Sequence, residues 1–311
     1  MVGVKIWVPS QDIADTLSDL PEGIPPVECL IYDGRGPLPG APEEVEVWVP
    51  PLVPPPDIPG LLRRMVRLRL IQTVTAGVDP YIPHVPEGVT LCNARGVHDA
   101  GTAEWVVGAI IAVLREFPHF AAAQARQKWD YHHTRALADS TVLIVGYGSI
   151  GKAVERRLAG FDVEIIRVAR TARKAEGVHG VDELPDLLPR ADVVVLVVPA
   201  TAETAGMVDA KFLARMKDGA LLVNAARGSV VDADALLAEL NRGRLLAALD
   251  VAPIEPLPPG HPLWTAPGVF ITPHVAGSTP ASRRRMRALV RDQVVRFLSG
   301  RPLDNMITGH Y

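Results

Sequence analysis

The stretch Thr141-Val142-Leu143-Ile144-Val145-Gly146-Tyr147-Gly148-Ser149-Ile150-Gly151 decides the fold. Its first five residues, mostly apolar and β-branched, read as a buried strand, and Ser149 onward reads as a helix. Between them stands Gly-x-Gly-x-x-Gly. The glycines alone would be weak evidence, but with a strand before and a helix after they mark a dinucleotide site. Gly146 permits the tight turn, Gly148 lets the backbone approach a pyrophosphate, and Gly151 lets the helix pack close to the strand. The amides of Ser149 and Ile150 then face the phosphate at the helix N-terminus.

Downstream, apolar runs over 163–168, 192–198, 220–224, 245–250 and 269–271 read as strands, with helices over 149–159, 181–188 and 232–242. The near-continuous run 192–198 suits a central parallel strand buried on both faces, and Asp232 suits a helix cap. Upstream, short β-branched runs over 4–8, 27–32, 45–49, 68–74 and 90–93 alternate with helices over 11–20 and 58–65. Six prolines from Pro50 to Pro59 make a loop. A helix over 102–114, then another over 121–128 after a break at Pro118, links the two systems. An Arg-rich helix over 282–299 returns to pack on the first, its charges marking a solvated face.

Strands alternating with helices imply parallel sheets with crossovers, and 311 residues suit two domains. Net charge is −3, without a basic face for nucleic acid or an anionic membrane. No apolar stretch reaches the length of a membrane span. The N-terminus lacks a secretory h-region, so the cytoplasm is the expected compartment. Cys29 and Cys92 lie in strand-like runs and read as small buried hydrophobes. No spacing of His and Cys reads as a metal site.

Three segments carry chemistry. Asn224-Ala225-Ala226-Arg227-Gly228, Leu249-Asp250-Val251-Ala252-Pro253-Ile254-Glu255-Pro256 and Thr272-Pro273-His274 each follow an apolar run. They offer Arg227, Glu255 and His274. A guanidinium can clamp the carboxylate of a 2-keto acid and polarise its ketone. An imidazole can give and take the proton, and a carboxylate beside it fixes its orientation and favours its charged form. Behind a dinucleotide fingerprint, this trio points to hydride exchange with a small 2-keto or 2-hydroxy acid. Tyr81, His98 and Trp264 are candidates to line the substrate pocket.

The end of the strand after the fingerprint separates the two nicotinamide cofactors, because NAD sites place a carboxylate there for the ribose 2′-hydroxyl. Counting from Gly160 puts that end at Arg167. A carboxylate is missing, and Arg170, Thr171 and Arg173 follow. Guanidinium groups suit a 2′-phosphate, so NADP(H) is the expected cofactor, with NAD(H) possible.

Together with Ala76-Gly77-Val78-Asp79, Asn93-x-x-Gly96, Ala103-Glu104, Pro199-x-Thr201, Glu203-Thr204 and His261-Pro262-Leu263-Trp264, these motifs resemble the D-isomer-specific 2-hydroxyacid dehydrogenase family. The resemblance spans nearly the whole chain and is closest to NADP-using glyoxylate and hydroxypyruvate reductases. It implies two Rossmann-like α/β domains. The cofactor domain, 99–280, is inserted into a flavodoxin-like substrate domain, 1–98 plus 281–311. It implies Arg227, Glu255 and His274 as catalytic residues, and Ala76 and Gly77 as substrate-carboxylate contacts. Thr102, Pro199, Thr204, Ala225 and Asp250 become cofactor contacts, and the assembly a homodimer. Two other readings are a phosphite-type dehydrogenase of the same family and a dinucleotide-sensing, corepressor-like binding protein.

Overall fold

The computed structural model describes residues 3–308. It divides into two compact units, one taking the chain through His98 together with the segment from Pro280 onward, the other running from Asp99 to Thr279. Residues 1–2 and 309–311, the ends of the expected substrate domain, lie outside the described residues.

In the first unit, β1 (Val4–Val8), α1 (Gln11–Thr16), β2 (Val27–Ile31), β3 (Val45–Trp48), α2 (Ile58–Arg64), β4 (Leu70–Gln72) and β5 (Thr90–Cys92) alternate. The strands pair in parallel in the order β2-β1-β3-β4-β5, the flavodoxin-like winding. Successive side chains of a strand feed opposite faces. Trp7, Val45, Trp48 and Ile71 pack with Ile58, Leu61 and Leu62 of α2. Ile6, Val8, Val47 and Leu70 pack with Ile13 of α1 and with Val290 and Val294 of the C-terminal helix Pro280–Leu298. That helix leaves Arg283, Arg284 and Arg285 exposed. Cys92 is buried, Cys29 half-buried, and burial pushes both thiols up to about 11.

The second unit holds α3 (Asp99–Leu114), α4 (Phe117–Ala125), β6 (Thr141–Val145), α5 (Ser149–Leu158), β7 (Glu164–Ala169) and β8 (Val178–Gly180). There follow α6 (Leu184–Leu187), β9 (Val193–Leu196), α7 (Ala210–Arg215), β10 (Leu221–Asn224), α8 (Ala233–Asn241), β11 (Leu246–Leu249) and β12 (Val269–Ile271). All strands are parallel, in the order β12-β11-β10-β9-β6-β7-β8. Val142 and Ile144 pack with Val106 and Ile110 of α3 and Ala153 of α5. Leu143 and Val145 face the other way, with Leu184, Leu213 and Leu236 of α6, α7 and α8. From β6 the chain winds first toward β7 and β8, then back past β6 to β9. That reversal opens a crevice outside the carboxyl ends of β6 and β9.

Several expected elements shift. Pro118 does not break a helix: the chain turns at Glu116, φ 53°, and Pro118 occupies the first turn of α4, where its missing N–H costs nothing. The helix expected over 181–188 contracts to α6, flanked by 3₁₀ turns. β8 and α7, unread from the sequence, are three and six residues long, too short to register a period. No single helix among the described residues is long and apolar enough to cross a membrane.

Candidate active site

The glycine loop divides its three glycines between two tasks. A Cβ on Gly146 (φ 104°) would stand 2.6 Å from the backbone of Val197, and one on Gly151 would stand 2.7 Å from the Gly146 carbonyl. Both are demanded by packing within the unit. A Cβ on Gly148 would meet nothing within 4 Å, so that position opens into free space. Beside it begins α5, whose first amides, at Ser149 and Ile150, have no acceptor within the helix. The Ser149 hydroxyl donates to Asp99 Oδ1 at 3.2 Å, bringing in the first turn of α3, which carries Thr102, 6% exposed. An open cradle rimmed by helix-terminal amides fits a pyrophosphate.

The strand after the loop, expected over 163–168, ends one residue later, and the expected cofactor-selecting position, Arg167, lies two residues short of its end. β7 runs to Ala169, and Arg167 lies inside it. Arg167 is engaged with Glu155 of α5, its Nε 3.0 Å from both carboxylate oxygens and its Nη2 closer still. The guanidinium holds the Glu155 carboxyl below the usual carboxylate range, and Glu155 in turn raises Arg167. The position that ends the strand therefore carries Ala169, with no carboxylate, and the exposed Arg170 and Thr171 follow.

On the other side of the reversal, the exits of β9, β10, β11 and β12 lie in neighbouring strands. After β9, Thr204 Oγ1 donates to Pro199 O at 2.6 Å and accepts from Thr201 N at 2.8 Å, folding that turn on itself. The Ala225 amide donates to Leu196 O at 3.1 Å, tying the β10 exit to it. Buried Asn224 then fastens the Arg227 loop: its Nδ2 donates to Arg227 O at 3.0 Å, and its Oδ1 accepts from Ala226 N at 3.0 Å. At Gly228 a Cβ would fall 1.8 Å from Ala252 O. Only glycine lets the Arg227 loop lie against the segment that carries Glu255.

Glu255 Oε1 accepts from the Ala252 amide at 3.1 Å, and its Oε2 meets His274 Nδ1 at 2.7 Å. A carboxylate here accepts, so Nδ1 carries a hydrogen and Nε2 is the exchangeable site on a half-exposed ring. His274 sits in the left-handed region, φ 55°, with its amide donating to Asp250 O at 2.7 Å. Such strain persists only where the surroundings over-determine it. Asp250, 2% exposed, does so: Oδ1 accepts from Thr272 Oγ1 (2.6 Å) and Val275 N (2.9 Å), and Oδ2 from Ala276 N (2.9 Å). Of roughly four acceptor positions on a carboxylate, one remains.

Three pocket candidates resolve differently. Tyr81 is core, 3% exposed and edge-on to Trp48 at 5.8 Å. His98 Nε2 lies 2.9 Å from Val74 O, within the first unit. Trp264 is half-exposed, its Nε1 donating to Pro258 O at 3.0 Å. Ala76 and Gly77 lie in a turn of the first unit, held by Thr75 Oγ1 to Gly77 O (2.7 Å) and Asn93 Nδ2 to Ala76 O (2.8 Å). His119, Asp130 and His132 converge near α4, but the Lys128 ammonium, 3.0 Å from Asp130 Oδ2, already supplies a cation there. The sequence reading had no place for Asn224, Glu155 or the Tyr147 side chain. Only the spacing of Glu155 one helical turn beyond Gly151 hinted that it could face the sheet.

A family model described as the NAD-binding domain of D-isomer specific 2-hydroxyacid dehydrogenases matches residues 107–276. A glyoxylate reductase of Thermofilum pendens is 37% identical over 246 residues, covering 75% of this chain and 73% of the relative. A D-isomer specific 2-hydroxyacid dehydrogenase from Xanthobacter autotrophicus Py2, solved with NADPH and MES, superposes with a TM-score of 0.84. It is 31% identical, over 99% of this chain and 98% of that one. An NADPH-dependent glyoxylate/hydroxypyruvate reductase from Sinorhizobium meliloti, solved with NADP and malonate, gives 0.82 at 25% identity, over 99% and 97% of the two chains.

Proposed function

The chain belongs to the D-isomer specific 2-hydroxyacid dehydrogenase family, and on that footing we propose that it reduces a small 2-keto acid of the glyoxylate or hydroxypyruvate class, with NADP(H) preferred. The observation that carries this reading is the 2.7 Å contact between His274 Nδ1 and Glu255, on the same sheet edge as Arg227. The nicotinamide, when bound, supplies the hydride. His274 gives its Nε2 proton to the ketone oxygen as charge builds there, and Glu255 keeps the ring oriented and stabilises its charge. Arg227 clamps the substrate carboxylate through its planar fork. Gly148, Ser149 and Ile150 hold the pyrophosphate, aided by Thr102; Pro199, Thr204 and Ala225 are further cofactor contacts, and the remaining acceptor of Asp250 takes an N–H or O–H of the nicotinamide carboxamide or its ribose. The preference for NADP(H) is supported by Ala169, where a carboxylate would select the 2′-hydroxyl, and by Arg170 and Thr171, which suit a phosphate.

The test is oxidation of NADPH and of NADH, followed at the nicotinamide absorbance band, with glyoxylate, hydroxypyruvate, pyruvate and phenylpyruvate. NADPH should give a kcat/KM at least about tenfold above NADH, a single charge-assisted phosphate contact sufficing for that ratio. The two smallest acids of the reductase class, glyoxylate and hydroxypyruvate, should be turned over best. A preference for NADH overturns the cofactor assignment. Tight dinucleotide binding without turnover of any acid overturns the reductase assignment.

A further inference from the structure

Tyr147, between the first two glycines, is where four charged side chains meet. Its hydroxyl donates to Glu155. Its ring has the guanidinium carbons of Arg167 and Arg173 at 5.8 and 5.9 Å from its centre and the Lys152 ammonium at 5.9 Å. Its backbone carbonyl accepts from Arg173 Nη2 at 3.0 Å. An aromatic face attracts cations at such distances. Burial, and then the Glu155 carboxylate, push the hydroxyl above its usual range, so it remains a donor at neutral pH.

The partners of the two arginines differ. Arg167 is neutralised by the half-buried Glu155. Arg173 has only Glu176 as its carboxylate partner among the described residues, at 3.2 Å and half-exposed. With Nη2 on the Tyr147 carbonyl and Nε on Glu176, its guanidinium still has donors to offer. It reaches the glycine loop from the segment just beyond Ala169, Arg170 and Thr171, where the ribose determinants of a dinucleotide fold stand.

We propose that Tyr147 is a positioning residue for the dinucleotide's 2′-phosphate: it pins Arg173 to the glycine loop, and the Glu155–Arg167 pair pins Tyr147. This rests on the NADP(H) preference proposed above. The pin turns a mobile surface arginine into a fixed anion contact. An anion arriving there exchanges with Glu176 rather than ordering a free side chain, which is what preorganisation contributes to affinity.

The experiment is titration of NADPH and NADH binding by reduced-nicotinamide fluorescence, in the wild type and in Tyr147→Leu, Tyr147→Phe and Arg173→Met. Wild type should bind NADPH more tightly. Tyr147→Leu should cut the ratio Kd(NADH)/Kd(NADPH) by about tenfold, the scale of one lost guanidinium–phosphate contact. Arg173→Met should match that loss. Tyr147→Phe keeps the ring and loses only the hydroxyl contact, so its loss should be about two- to threefold. A wild-type ratio that survives in Tyr147→Leu overturns the proposal, as does equal weakening of both cofactors. Should the leucine variant fail to fold, an unchanged ratio in Arg173→Met overturns it instead. A wild type that does not favour NADPH overturns the cofactor preference itself, and is seen before any variant is compared.

Discussion

On the β6 side of the second unit's sheet, the backbone makes the surface proposed to bind the dinucleotide. Gly146 and Gly151 are glycines because neighbouring backbone leaves no room for a Cβ, and Gly148 is one where the room is left for something else. On the β10–β12 side, side chains make the proposed catalytic site, and each needs a second group to hold it. Asn224 holds the Arg227 loop, Gly228 seats it against Ala252, and Asp250 holds the turn that presents His274. A site made of backbone tolerates side-chain change around it. A site made of side chains is only as good as its fasteners.

The first way to break this comparison is at its most loaded point. His274→Ala removes the group proposed to move the proton, and kcat should fall by about 10²–10⁴-fold while NADPH affinity is kept. The ring is half-exposed, so the folded state should lose no more than about 1 kcal/mol. Stopped-flow turnover beside a dinucleotide titration measures both. Turnover near that of the wild type would remove His274 from the mechanism and leave the β6 side as the only functional half of the sheet.

Asp250→Asn tests the fastener rather than the catalyst. An amide nitrogen in place of one oxygen would face an N–H or O–H donor, leaving a buried group unsatisfied at about 1–3 kcal/mol. His274 keeps its chemistry but loses the turn that over-determines its left-handed backbone, so kcat should fall by roughly tenfold to a hundredfold through misplacement alone. A lowered Tm with intact kcat would show that Thr272, Val275 and Ala276 hold the imidazole without the carboxylate. Because the substitution touches the remaining acceptor as well, the KM for NADPH is the discriminating readout. A rise in KM alone points to a cofactor contact, and a fall in kcat alone to positioning.

The same contrast governs what could be read from the sequence. The fingerprint was legible because glycine is a visible consequence of backbone geometry, and the run 141–145 before it and the run 269–271 before His274 match β6 and β12 residue for residue. Arg227, Glu255 and His274 were legible as strand-end residues, because a parallel sheet sends every such end to one edge. The cofactor-selecting position was placed at Arg167, two residues inside β7. Arg167 is polar and looked like an end, yet Glu155, twelve residues earlier, lets a guanidinium stand inside a strand. A partner on another element leaves no mark on local pattern. Tyr81 is the reverse case: a tyrosine near a loop, yet its ring packs edge-on against Trp48 in the core.

The smallest expected effect falls on the backbone side. Gly148→Ala places a methyl group where nothing lies within 4 Å, at a negative backbone φ of −96°. The free protein should therefore keep its stability to within about 0.5 kcal/mol. The same methyl group would stand where the pyrophosphate approaches, so affinity should fall for NADPH and NADH alike, by about tenfold for a modest displacement of the charge-assisted amide contacts. Thermal unfolding without ligand and fluorescence titration with each cofactor separate the two quantities. Equal loss of both cofactors places the defect at the shared pyrophosphate, in contrast to the selective loss expected of Tyr147→Leu. A Gly148→Ala protein that binds both as tightly as the wild type would mean that the open space beside α5 is not where the phosphates lie, and the backbone half of the comparison would fall.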